Sequence, residues 1–168
     1  NKTEKNIINI NSKYCQVPKT IDSLNITYYA MKSLSKKNII AYSNCIYYNL
    51  SKLENTNTLD MRKIIANEIV KNIRDENFNF YDIINYYSEH NNSHLYTNII
   101  SPDDLFHILI TSEHWMTEFD LYIYSQLYKK KILFYKLNAE KHPNYKKGCY
   151  MIMNETNEGF DEIEIYVE

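Results

Sequence analysis

Tyr42-Ser43-Asn44-Cys45-Ile46-Tyr47-Tyr48 is the stretch from which the fold is read. Apolar residues at 46, 47, 50 and 53 recur at helical spacing, which predicts a helix over 45–53 with Cys45 at its head. A helix start offers unpaired N–H groups and a partial positive charge, and both favour a thiolate placed there. Cysteine nucleophiles are often presented in this way.

Outward from this helix, Thr58 is expected to cap a second one. Its stripe is Met61, Ile64, Ile65, Ile69 and Ile73, with Arg62, Lys63, Glu68 and Lys71 as the charged surround. Phe80 to Glu89 reads as a shorter helix. Ser101-Pro102-Asp103-Asp104 opens another, with Ser at the cap, Pro at the first helical position and acids in the first turn. Trp115 to Tyr128 is apolar almost all round, so a buried helix is expected there. Ile132–Tyr135, Cys149–Met153 and Ile163–Val167 then read as strands, the last with clear alternation. Towards the start, residues 1 to 20 alternate polar and apolar without strong periodicity, and Ile21 to Leu34 reads as a weak helix or extended lead-in. The expected class is α+β, with helices packed on a small, late β-sheet.

The composition is that of one globular domain over 1–168, with 1–25 as a poorly defined extension. At 168 residues with 44% hydrophobic content the chain is long enough to bury a core, while 17 Tyr, 2 Gly and a mean hydropathy of -0.53 make it polar and aromatic. A net charge of -2 and a pI near 6.2 argue against nucleic acid as a partner. The runs Lys129-Lys130-Lys131 and Lys146-Lys147 read as solvated ends. No apolar run approaches bilayer length, so no membrane role is expected, and Asn1-Lys2-Thr3-Glu4-Lys5 is unlike a signal peptide. The chain starts without Met, which suggests a domain excised from a larger protein. Cys15, Cys45 and Cys149 suit neither a disulfide framework nor a metal knuckle, so a reducing, cytoplasmic setting is expected. Asn25, Asn49, Asn91 and Asn154 head Asn-x-Ser/Thr triplets, which an Asn-rich chain produces by chance.

The order of signals resembles the ovarian-tumour (OTU) cysteine proteases, which remove ubiquitin or ubiquitin-like modifiers. That family shows Asp-Gly-Asn-Cys before its first helix, and this chain keeps the Asn and Cys as Asn44-Cys45. The family's Trp-Gly-x-x-Glu is echoed by Trp115-Met116-Thr117-Glu118, and its closing His-Phe/Tyr-Asp/Asn by Gly159-Phe160-Asp161. The look is closest to the viral branch found in nairovirus-like polymerases, and the resemblance covers roughly residues 26 to 166. It implies a papain-type fold with Cys45 as nucleophile, Asp161 as the orienting acid, Asn44 in the oxyanion loop and Trp115 as the motif tryptophan.

Gly159 stands where the histidine base would be. Without that base the leaving amine has no acid, a role worth roughly 100- to 10,000-fold in rate. The expectation is therefore a pseudoenzyme of hydrolase ancestry that binds ubiquitin, a ubiquitin-like protein or another protein partner. Two alternatives stay open. One is an active deubiquitinase whose base has moved, with His114 beside Trp115 the best substitute and His142 the next. The other is a structural docking domain of a larger viral or cellular protein. No cofactor or metal is expected: His90 and His94 are spaced i, i+4, but the segment is loop-like and no ligand pattern completes a site. Pro102-Asp103 is explained as a helix start rather than part of a metal nuclease motif, and the Tyr pairs 28/29, 47/48 and 86/87 as core and surface aromatics rather than a base-stacking platform.

Overall fold

The computed structural model describes residues 6–10, 26–28, 45–136 and 148–167. These mix helix and sheet and fall into two compact units. One holds the described residues up to Ile123 from Cys45; the other holds two early strands and the described chain from Tyr124. No helix among the described residues is long and apolar enough to cross a membrane.

The helical unit contains α1 (Cys45–Leu53), α2 (Thr58–Arg74), α3 (Phe80–His90), a 3-10 turn over Ser93–Tyr96, α4 (Pro102–Leu109) and the beginning of α5 (Glu118–Leu127). Helix α1 has the predicted span. Helix α2 is capped by Asn57 rather than Thr58: the Asp60 N–H donates to Asn57 Oδ1 at 2.8 Å, and Asn57 Nδ2 returns a bond to the Asp60 carboxylate at 2.9 Å. Its stripe of Met61, Ile65, Ile69 and Ile73 is buried as the period requires, each such side chain stabilising by about 1.5–3 kcal/mol. Ala66 and Val70 widen the stripe, Ile64 lies at its half-buried margin, and Arg62, expected on the charged surround, is buried inside it. Helix α4 carries the predicted Ser101 start as a reciprocal capping box with Asp104. Helix α5 begins three residues later than expected, because Thr117 caps it: the Asp120 N–H donates to Thr117 Oγ1 at 3.3 Å, and the Thr117 N–H donates to Asp120 Oδ2 at 2.8 Å.

In the sheet unit, the three expected strands are β3 (Lys130–Lys136), β4 (Cys149–Met153) and β5 (Asp161–Val167). The sheet is not only late, however. It also takes β1 (Asn6–Ile10), from a stretch without strong periodicity, and β2 (Ile26–Tyr28), from the stretch read as a weak helix or extended lead-in, in the order β1-β5-β3-β4-β2. Strand β5 is parallel to both neighbours, β1 and β3, while β4 is antiparallel to β3 and β2. Pairing sets Ile163 beside Ile132 and Ile8's neighbour Ile165 beside Phe134, and all of these are buried. The alternate residues of β5 are at least partly covered as well. Glu164 is fully buried and accepts a bond from Tyr166 Oη at 2.8 Å, while Leu133, Tyr135, Cys149 and Ile152 cluster together with Tyr166 packed against them.

The connection from β4 to β5 requires unusual backbone. Asn154 has φ +61 and is buried, and its amide makes that tolerable. Its Nδ2 donates to Ser125 Oγ at 2.9 Å and to the Lys130 carbonyl at 3.1 Å, while Gln126 Nε2 donates to its Oδ1 at 2.5 Å. The turn from β4 to β5 is thereby tied to the end of α5.

Candidate functional site

The sequence-derived site residues fall in both units. Cys45 opens α1 in the helical unit, which also holds His114 and Trp115; Gly159 and Asp161 belong to the sheet unit. Asn44 and His142 lie outside the described residues.

At the β4–β5 turn, Gly159 has φ +78, in the left-handed region that side chains other than glycine rarely adopt. The residue is exposed, and a Cβ added there would meet nothing within 4 Å. Space for a Cβ is present, but the backbone conformation disfavours any side chain. Two residues on, the Asp161 N–H donates to the Lys129 carbonyl at 3.1 Å, and its half-exposed carboxylate lies 3.8 Å from Lys130 Nζ. A pair this open to water stabilises by less than about 1 kcal/mol. Of the described histidines, His90, His94, His107 and His114, none belongs to this unit. Beside the turn is a cavity of about 470 Å³, lined among others by Lys131, Glu155, Glu158, Gly159, Phe160 and Glu162. Lys131 Nζ and Glu162 Oε1 are 3.9 Å apart.

His114, the substitute base that the sequence favours, lies in the helical unit. The ring is fully buried, with Nε2 2.8 Å from Asp120 Oδ2 and Nδ1 2.6 Å from Tyr96 Oη. The network is complete with Nε2–H donating to the carboxylate and the Tyr96 hydroxyl donating to Nδ1. Both nitrogens are then occupied, and the Nδ1 lone pair is taken up by the Tyr96 hydroxyl. Asp120, itself fully buried, accepts from His114, from the Thr117 N–H and hydroxyl and from the Tyr87 hydroxyl. The Tyr87 and Tyr96 rings stack at 5.5 Å, and the His114 ring meets Tyr87 edge-on at 4.9 Å.

Arg62 closes the network from α2. Its Nη1 donates to the Thr111 carbonyl at 2.7 Å and the His114 carbonyl at 2.8 Å, and its guanidinium lies over the Tyr47 ring, 4.1 Å from the centroid. Burial lowers its pKa, while the nearby Tyr47 and Asp120 oppose that shift. Burial also raises Tyr47, Tyr87 and Tyr96, and the Asp120 charge adds to the shift in each. All three phenols are therefore held neutral.

Trp115 follows this cluster and is half-buried rather than central. Its backbone is held by one amide: the Trp115 N–H donates to Asn91 Oδ1 at 3.2 Å, and Asn91 Nδ2 donates to the Trp115 carbonyl at 2.7 Å. Two of the Asn-x-Ser/Thr asparagines named above, Asn91 and Asn154, thus have amides engaged inside the fold. His90 packs edge-on against Tyr86 at 4.5 Å, and His94 is exposed on the 3-10 turn. No group of three metal-ligating side chains occurs among the described residues. Of the tyrosine pairs, Tyr86 and Tyr87 are both core, while Tyr47 is buried and Tyr48 exposed beside Lys52.

The sequence reading did not find Arg62, Asp120, Tyr96 or Asn91. Only Asp120 carried a local signal, as the third residue after the capping Thr117. Comparisons with protein-family models, with curated proteins and with solved structures found no match to this chain.

Proposed function

We propose that this chain is a degenerate OTU-like domain that binds ubiquitin, a ubiquitin-like protein or another protein partner in a reducing, cytoplasmic setting, without efficient cleavage. The observation that carries the reading is Gly159. It occupies the motif position of the base, with a backbone that strains any replacement side chain by about 1–2 kcal/mol. The engagement of both His114 nitrogens supports it further, since the best substitute base offered by the sequence has no free lone pair.

A thiol without a base is only a few per cent thiolate at neutral pH, given an ordinary pKa of about 8.5. Even a thiolate at Cys45 would then lack a proton donor for the departing amine. Binding asks for none of this chemistry. Titration of the isotope-labelled chain with ubiquitin, followed by NMR, tests the reading: saturable shifts are expected, and their complete absence favours the docking-domain alternative.

A further inference from the structure

We draw no further inference here: the strongest candidate, the cavity of about 470 Å³ at the β4–β5 turn, rests on the acidic cluster Glu155, Glu158 and Glu162, which Lys131 and the neighbouring Lys130 offset, with no second feature among the described residues to select a ligand.

Discussion

Replacing Arg62 by Met tests whether the helical unit depends on its buried polar network. Methionine keeps an unbranched apolar stem of similar reach but removes every donor. Arg62 Nη1 carries two hydrogens and faces three carbonyl oxygens, at 2.7 Å (Thr111), 2.8 Å (His114) and 3.5 Å (Leu109). The longest is beyond an ordinary bond, so two bonds count. With about 1.5–3 kcal/mol for each bond to a charged donor, the gross loss is about 3–6 kcal/mol, and relief of the guanidinium's desolvation returns part of it, leaving about 2–4 kcal/mol. Urea unfolding followed by tryptophan fluorescence reads this locally, because the chain's single tryptophan, Trp115, directly follows His114. The midpoint should fall with the slope unchanged, as a pure stability change requires. Arg62→Lys should fall less: it keeps the charge and loses the flat stack on Tyr47. A loss below about 1 kcal/mol for the Met variant would refute the reasoning, since it is less than one such bond contributes.

Gly159→His should lower stability by about 1–2 kcal/mol through its left-handed φ alone, and Gly159→Ala should cost about the same because the space is open; a neutral or stabilising outcome in thermal unfolding contradicts this. Tyr47, Tyr86, Tyr87 and Tyr96 all have pKa values raised chiefly by burial. Unfolded tyrosine ionises near 10, so the stability these groups contribute is fully present below about pH 10 and is lost as pH rises above it towards the folded values. Phenolate absorbance during alkaline titration should therefore show a late, cooperative step coincident with unfolding, and one smooth titration of all tyrosines is the contrary result. Burial pushes the Cys149 thiol up to about 12, so alkylation at about pH 8 should be far slower in the native chain than in urea; equal rates would contradict its buried placement.

Elements with a local signature were legible before folding. The Ser101-Pro102 start, the α2 stripe and the alternation of β5 need only neighbours in sequence to be read. Strands β1 and β2 were only partly legible: residues 1 to 20 alternate without a strong period, 21–34 left helix and extended chain open, and the partners β5 and β4 that decide the matter lie more than 100 residues away. Arg62 sits among Lys63, Glu68 and Lys71, and nothing in the sequence sets it apart. Its partners are the backbone carbonyls of Thr111 and His114, which only the fold brings to it. His114 stood out for its place beside Trp115, but its bonds to Tyr96 and Asp120 depend on tertiary placement and change what the ring can do. Gly159 was visible at the position where the OTU resemblance expects a histidine, whereas its left-handed φ was not.

On the proposed reading, Cys45 does not support efficient turnover. The direct measurement is hydrolysis of ubiquitin carrying a fluorogenic C-terminal amide, with the unaltered chain and Cys45→Ala run side by side at high enzyme concentration. The account predicts overlapping progress curves. Sustained release that disappears in Cys45→Ala would contradict it.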